Sequence, residues 1–105
     1  MTNRPRHKSQ RDANQQEIAD GLRVCGLYVE DISAHCAYAD LRVWGFDHVL
    51  WHDAWHLMEV KTMTGELTPT ERQFQEDHPG AVQTVRSVED GLMCFGRVLA
   101  TEEGR

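Results

Sequence analysis

The sequence predicts a mixed α/β domain in which helices flank a central sheet, with the element order α-β-β-β-α-β-α. Two observations support this fold class. Apolar residues recur at helical spacing in three segments, and short runs rich in valine and tryptophan lie between those segments, as is typical of strands. The 105 residues of the chain leave room for one domain of ordinary size. Consecutive strand-like runs in the middle of the chain predict neighbouring strands of one sheet.

The first half of the chain predicts one helix and three strands. Asp12 can cap the helix, and Gly26 is a plausible stop at its end. The second strand is expected to pass through a kink at Gly45, and His52-Asp53 is expected to form the turn before the third strand. That third strand has apolar residues on both faces, as is typical of a central strand. The four predicted segments are 12–26, 27–29, 41–51 and 55–61.

The second half of the chain predicts a helix, a strand and a closing helix. Thr68, Pro69 and Glu71 form a strong helix start, with a capping threonine, a proline at the first helical position and a glutamate three residues after the cap. Ser87 is expected to cap the closing helix. The predicted inner face of that helix is Leu92, Phe95 and Val98, and the three predicted segments are 68–79, 81–85 and 88–99.

The charge of the chain is unevenly distributed. Residues 1–11 hold four basic groups and almost nothing apolar, so we expect a flexible basic tail, followed by a domain at 12–100 and a polar C-terminal tail at 101–105. The whole chain has a net charge of −6, and without the four basic groups of the tail it has about −10. An acidic body is not typical of a passive DNA-binding protein, but carboxylates are the ligands that hard divalent cations prefer. The tail is expected to assist DNA binding by releasing phosphate counterions.

Features of exported or membrane-spanning chains are not found in the sequence. No apolar run approaches the roughly 18 residues that span a bilayer, and the basic start is not followed by a signal-peptide pattern. The three cysteines, Cys25, Cys36 and Cys94, are an odd number without a CxxC pair, which favours reduced thiols over a disulfide framework. We therefore expect a cytoplasmic protein with no membrane partner.

A carboxylate and an ammonium group are expected to converge on the third strand. Residues two apart on a strand point to the same face, about 6.5–7 Å apart, so Glu59 and Lys61 share a face. Asp40 precedes the strand that the hairpin pairs with the Glu59 strand. Two carboxylates on adjacent strands can bind one Mg²⁺ or Mn²⁺ and leave positions for water and phosphate oxygens. This arrangement points to metal-dependent phosphodiester hydrolysis.

An aspartate at a strand start, a hairpin and then Glu-x-Lys resemble the signature of the PD-(D/E)xK nucleases. The surrounding residues are similar to the small phage and bacterial branch related to VRR-Nuc domains and Holliday junction resolvases, and the resemblance covers residues 12–95. A departure is Ala37-Tyr38-Ala39-Asp40, where the family usually has Gly-x-Pro-Asp. The matching landmarks are Asp12-Ala13-Asn14 with Glu17-Ile18, Asp40-Leu41, Glu59-Val60-Lys61, Leu67-Thr68-Pro69 with Glu71 and Phe74, and Ser87-Val88-Glu89-Asp90.

The resemblance implies a restriction-endonuclease-like core and a Mg²⁺- or Mn²⁺-dependent endonuclease acting on DNA, with branched four-way junctions as a candidate substrate. It implies a metal site formed by Asp40, Glu59 and the carbonyl of Val60, with Lys61 catalytic. It also assigns catalytic roles to Glu17 in the first helix and to Glu71 in the second. Glu71 has an alternative structural role, because it can complete a capping box with Thr68.

Three other interpretations of the sequence stay open. His48, His52 and His56 repeat every four residues, which on a helix would align three zinc ligands. A nuclease fold that has lost cleavage could act as a binding or adaptor protein. The hairpin containing Trp44, Trp51 and Trp55 could also serve as an apolar interaction arm.

The sequence also predicts a homodimer. The chain contains one Asp…Glu-x-Lys set, whereas resolving a junction or breaking a duplex needs two cuts. A two-fold dimer supplies the second site by symmetry. The expected contact is the aromatic hairpin around Trp44, Phe46 and Trp51, and the resemblance to resolvase-like proteins points the same way.

Overall fold

The computed structural model describes residues 10–98 of the chain, and the side chains of residues 13–98. Most of the predicted basic tail and all of the predicted polar C-terminal tail lie outside these described residues. The order of elements is the predicted one. The helices are α1 (Gln10–Val24), α2 (Pro69–Asp77) and α3 (Val88–Cys94), and the strands are β1 (Tyr28–Asp31), β2 (Leu41–Asp47), β3 (His52–Val60) and β4 (Val82–Val85).

The four strands form one mixed sheet in the order β1-β2-β3-β4. β1 pairs antiparallel with β2, β2 pairs antiparallel with β3, and β3 pairs parallel with β4. The parallel pair requires a crossover connection, and α2 lies in that connection. β3 is therefore a central strand, as its two apolar faces predicted.

The two faces of the sheet have different surroundings. In β2 the burial alternates strictly at its start, with Leu41 and Val43 fully buried and Arg42 and Trp44 exposed. The buried face packs against α1 and α3 in a single apolar core. Helix α2 covers one end of the opposite face, and the side chains on the rest of that face are exposed to solvent. The core residues are Ile18, Ala19, Leu22, Leu27, Val29, Leu41, Val43, Met58, Val60, Val85, Leu92 and Phe95.

The predicted position of the β2–β3 turn is wrong. The pairing continues from Leu41↔Met58 to Asp47↔His52, so His52 begins β3 and the turn covers residues 48–51. Asp47 fixes this turn because its Oδ1 accepts hydrogen bonds from the N–H groups of Val49 and Leu50, at 2.7 and 2.9 Å. The strand also passes Gly45 without a break, where a Cβ atom would lie 2.1 Å from the Cδ2 of Leu27. Gly45 is thus needed for close packing and does not form a kink.

The closing helix is shorter than predicted. It ends at Cys94, and Gly96 adopts φ +70°, a left-handed conformation that glycine tolerates and that ends helices. Leu92 and Phe95 are buried as expected, whereas Val98 is 81% exposed, so its predicted place on the inner face is wrong. The N-terminal cap is as predicted, because the Ser87 side chain accepts a hydrogen bond from the N–H of Asp90.

The cysteines agree with a further expectation. Cys25, Cys36 and Cys94 are free, and Cys25 and Cys94 pack against the apolar core. Within residues 10–98, no helix has the length and apolar character needed to cross a membrane.

Candidate active site

Asp40, Glu59 and Lys61 meet where β2 begins and β3 ends. Asp40 immediately precedes β2, Glu59 is the second-last residue of β3, and Lys61 follows that strand. All three are buried, with exposures of 2%, 1% and 6%. Because Met58 and Val60 belong to the core below the sheet, Glu59 and Lys61 point to the opposite face. The sequence predicted that Glu59 and Lys61 share a face from their spacing on the strand, and it placed Asp40 beside them through the pairing of the hairpin.

Asp40 is held against β3 by its backbone and its side chain. Its N–H donates to the carbonyl of Met58 at 2.8 Å, and its Oδ2 accepts a hydrogen bond from the N–H of Val60 at 2.8 Å. The Asp40 carboxylate therefore accepts the hydrogen bond that a backbone carbonyl would accept if the pairing of β2 and β3 continued past Leu41. The peptide between Glu59 and Val60 is fixed directly beside the Asp40 carboxylate.

Lys61 lies between two buried glutamates. Its Nζ is 3.2 Å from Oε2 of Glu59 and 2.8 Å from Oε1 of Glu71. Glu71 belongs to α2, so the ammonium group ties the helix to the central strand. Removing a charge from such a buried group leaves its partners uncompensated at high cost.

Glu71 fills both roles that its position in the sequence allowed. It completes a capping box, in which Glu71 N–H donates to Thr68 Oγ1 and Thr68 N–H donates to Glu71 Oε1, at 3.2 and 2.8 Å. The same Oε1 accepts a hydrogen bond from Lys61. The start of α2 is thereby part of the site, and Thr68 fixes the carboxylate that holds the lysine.

The cluster contains three carboxylates and one ammonium group, and its electrostatics follow from burial. Burial raises the pKa of Glu59 to about 8, assisted by the hydrogen bond with Glu71 and the nearby Asp40. Burial also acts to raise the pKa of Glu71, but hydrogen bonds with Glu59, Lys61 and the Thr68 N–H outweigh it and lower the pKa to about 2. Glu59 therefore keeps a proton near neutral pH and Glu71 does not.

The ammonium group of Lys61 stays charged in this cluster. Burial lowers the pKa of Lys61, but hydrogen bonds to Glu71 and Glu59 outweigh that effect and leave the pKa raised. The lysine thus supplies a fixed positive charge between Glu59 and Glu71. A group of this kind can orient water or offset negative charge that develops on a phosphate.

We expect the metal-free protein to lose stability as the pH rises from about 5 to about 8. The pKa of Glu59 is about 8 in the fold and 4.5 in the reference state, so in this interval the folded chain holds a proton that the unfolded chain releases. Glu71 adds no pH dependence in this interval, because the stability that its lowered pKa contributes is fully present above about 4.5 and is lost only as the pH falls towards about 2. In Glu59→Gln the fall in melting temperature should be smaller, because glutamine mimics the protonated side chain at every pH.

The measurement is thermal unfolding in EDTA at a series of pH values. Glu66→Gln, at an exposed loop position, is the matched control and should retain the wild-type slope. Equal slopes for Glu59→Gln and the wild type would contradict the raised pKa.

Glu17 is the predicted site residue that the structure does not bring into this cluster. Its side chain is exposed and lines a groove of about 480 Å³ between α1 and α3, together with Ser87 and Glu89. Its catalytic role stays a prediction. Asn14, one turn earlier on α1, reaches the site instead, because its Nδ2 donates to the carbonyl of Lys61 at 2.8 Å. The sequence contained Asn14 as a landmark but gave no signal for this contact.

The three histidines at four-residue spacing do not lie on a helix, so the alignment that a zinc site would need is missing. His52 and His56 are on β3, four residues apart, which corresponds to about 13 Å along a strand. The His56 ring is 2.7 Å from Oδ2 of the buried Asp47 and packs edge-on against Phe95. His48 contacts aromatic rings at the tip of the hairpin.

Asp40 and Glu59 are the residues of the cluster that could hold a small divalent cation. Asp40 and Glu59 offer hard oxygen donors from neighbouring strands. The pKa of Glu59 is raised by burial and by the other carboxylates nearby, and a bound cation would offset the repulsion between these negative charges. Within residues 13–98, no group of three or more His, Cys, Asp or Glu side chains is arranged to hold a metal ion. A cation at Asp40 and Glu59 would therefore complete its coordination with backbone oxygen, water or substrate.

Comparisons of the chain with protein-family models, with curated proteins and with solved structures found no match. The functional interpretation therefore depends on the residues and geometry of this chain.

Proposed function

We propose that the chain is a Mg²⁺- or Mn²⁺-dependent endonuclease of the PD-(D/E)xK type that hydrolyses phosphodiester bonds in DNA. The observation that carries the proposal is the buried cluster of Asp40, Glu59 and Lys61. Burying several ionisable groups costs free energy unless they are paired, and strongly shifted pKa values concentrate at functional sites. A cluster of buried ionisable groups with shifted pKa values, placed at the end of a strand, is better explained by a catalytic role than by a role in stabilising the fold.

The arrangement of strands supports a restriction-endonuclease-like core. In the proposed core an antiparallel β1-β2-β3 unit precedes a helix, and the strand after that helix returns parallel to the third strand, as β4 does here. The two carboxylates then come from the second and third strands, and the lysine follows two residues after the second carboxylate.

Each residue of the cluster has a proposed role. Asp40, Glu59 and the carbonyl of Val60 hold the cation, which when bound stabilises negative charge on the phosphate and makes water more acidic. Lys61 orients the attacking water and offsets charge that develops on the phosphate oxygens. Glu71 positions the Lys61 ammonium group through the 2.8 Å contact and is itself fixed by the Thr68 cap.

The second candidate function is a binding or adaptor protein that keeps the fold without cleavage. The charge pattern of the site speaks against it, because an adaptor has no need for a lysine buried between two glutamates in a weakly exposed cluster. The two functions differ in a single observable, which is metal-dependent strand cleavage.

The test is incubation of the full chain with plasmid, single-stranded and four-way-junction DNA in Mg²⁺, Mn²⁺, Ca²⁺ or EDTA. We expect cleavage in Mg²⁺ and Mn²⁺ and none in EDTA. Ca²⁺, which is larger and less demanding in geometry, should support binding with little turnover. Absence of cleavage of all three substrates in both Mg²⁺ and Mn²⁺ would overturn the nuclease assignment in favour of the adaptor.

A homodimer that uses the tip of the β2–β3 hairpin is part of the proposal. The tip comprises Phe46, His48, Val49, Leu50 and Trp51, and the last of these is 73% exposed. Of the residues predicted for the contact, Phe46 and Trp51 lie at this tip, whereas Trp44 lies further along β2, paired with Trp55. The rings of Phe46, His48 and Trp51 contact one another edge-on, and Trp51 is held at φ 62°, which is uncommon for a bulky residue. An exposed apolar tip is suited to a self-complementary contact.

We expect Trp51→Glu to convert the dimer to a monomer in sedimentation at micromolar concentration. A charge placed at the centre of an apolar contact opposes association because it would have to be desolvated. Arg72→Glu, at an exposed position of α2 far along the chain from the hairpin, is the control and should remain dimeric. A wild type that sediments as a monomer with and without DNA would contradict the dimer and leave the nuclease proposal standing.

A further inference from the structure

Three aromatic side chains form a row on the open part of the sheet. Tyr28, Trp44 and Trp55 come from three neighbouring strands and are paired in register, Tyr28↔Trp44 and Trp44↔Trp55. The ring centroids of Trp44 and Trp55 are 5.0 Å apart, and those of Tyr28 and Trp55 are 6.2 Å apart. Their exposures are 55%, 36% and 45% in chain order. This aromatic row is separate from the hairpin tip, where Phe46, His48 and Trp51 form their own group of ring contacts.

The aromatic row lies on the same face of the sheet as the candidate active site. Trp55 and Glu59 are four residues apart on β3, so both point to this face at a separation of about 13 Å. Arg42 and Leu57 are paired between them. The Arg42 guanidinium stacks over Trp55, with its carbon 4.6 Å from the ring centroid, and its Nε donates to Glu30 at 2.7 Å.

The charge of the described body restricts what this face can bind. Residues 13–98 contain six Lys and Arg against fourteen Asp and Glu. Duplex DNA presents phosphates outwards and is bound mainly through their neutralisation by basic groups. Unpaired bases, in contrast, bind by stacking on aromatic side chains, with arginine adding a cation–π contribution. Single strands also need neutralisation of their phosphates, but stacking adds a contribution that a paired duplex does not offer. The exposed aromatic row with one stacked arginine can supply that contribution on a body that has few basic groups.

We propose that the aromatic row stacks unpaired bases of the strand whose phosphate lies at Asp40 and Glu59, so that the substrate class is single-stranded DNA or DNA with an unpaired segment. This inference rests on the proposed nuclease function and adds the form of its substrate. Bases in a duplex already stack on their neighbours and do not offer a free face to Trp55. Arg42, which lies between the row and the site, can exchange its exposed pairing with Glu30 for a phosphate of the same strand.

The test measures binding of the full chain in Ca²⁺ by fluorescence anisotropy, with a labelled oligothymidylate of about 12 nucleotides, within the length range that stacking platforms cover. A hairpin duplex of similar length is the competing probe. We expect the oligothymidylate to bind more tightly and to quench tryptophan fluorescence. Trp55→Ala should weaken its binding about 5- to 150-fold, the effect of losing one stacked base. Met93→Ala removes an exposed apolar side chain of α3, outside both the row and the hairpin tip, and should bind as the wild type does.

Trp55→Leu keeps apolar bulk on the sheet without an aromatic face, and it should lose binding to the same degree while retaining the wild-type melting temperature. Equal affinity for duplex and oligothymidylate, or unchanged binding by both Trp55 variants, would overturn the inference. A change of sedimentation in Trp55→Leu would also overturn it, because the row would then contact a second copy of the chain. Failure of the nuclease proposal is separate, since it appears as absent cleavage in Mg²⁺ while binding at Trp55 persists.

Discussion

Replacing Asp40 by asparagine is expected to reduce metal-dependent cleavage on the order of 100-fold or more while the fold is kept, since removal of a single electrostatic group at an active site commonly has this effect. Asparagine has nearly the same shape and retains an oxygen that can accept the hydrogen bond from the Val60 N–H, seen here at 2.8 Å. It lacks the negative charge that a divalent cation needs. The loss should therefore be one of chemistry and not of structure.

The matched control for this variant is Asp53→Asn. Asp53 is an exposed aspartate on β3, two residues before Trp55 and on the same face of the sheet. It should cleave at the wild-type rate, which separates the role of Asp40 from the general effect of charge on an acidic protein. Cleavage by Asp40→Asn at the rate of Asp53→Asn would remove Asp40 from the active site.

Replacing Lys61 by alanine is expected to lower the free energy of unfolding by about 3–5 kcal/mol, in addition to abolishing cleavage, because it breaks a buried ion pair on one side. Lys61 is 2.8 Å from Glu71, whose pKa is lowered to about 2 and which is thus charged at neutral pH. Glu59, with a raised pKa, can remain protonated in the variant. The uncompensated charge is therefore that of Glu71.

The double variant Lys61→Ala with Glu71→Gln tests this origin. Glutamine removes the charge and can still accept the hydrogen bond from the Thr68 N–H, so it should recover part of the lost stability without restoring cleavage. Urea unfolding of both variants is the measurement, with Arg72→Ala as an exposed control on the same helix. A Lys61→Ala protein within about 1 kcal/mol of the wild type, the range of an exposed ion pair, would contradict the buried role of the ammonium group.

The parts of the site that could be predicted from the sequence depend on short-range geometry. Glu59 and Lys61 share a face because strand residues alternate, and Glu71 lies at the third position after the Thr68 cap because the capping box fixes that spacing. Asp40 was placed beside them by the hairpin pairing. Even so, the sequence offered a cap role and a site role for Glu71 as alternatives, whereas the same oxygen performs both.

The parts that could not be predicted depend on contacts between distant residues. The β2–β3 turn is placed by Asp47, which is 2% exposed, caps the turn and is paired with His56 nine residues later. Without knowledge of the Asp47–His56 pair, the sequence favours a turn at His52-Asp53. Whether Asn14 or Glu17 reaches the site depends on how α1 packs on the sheet and α3, and propensity contains no information on that rotation. Val98 was placed on the inner face of the closing helix because the helical spacing of apolar residues was continued past Gly96, where the helix has already ended.

The central claim is that Asp40 and Glu59 bind a divalent cation at the end of β3. The most direct measurement is calorimetric titration of Mn²⁺ into the metal-free full chain and into Asp40→Asn and Asp53→Asn. We predict that the wild type and Asp53→Asn bind Mn²⁺ alike and that Asp40→Asn loses this binding while its melting temperature in EDTA stays close to that of the wild type. Unchanged Mn²⁺ binding by folded Asp40→Asn would contradict the claim.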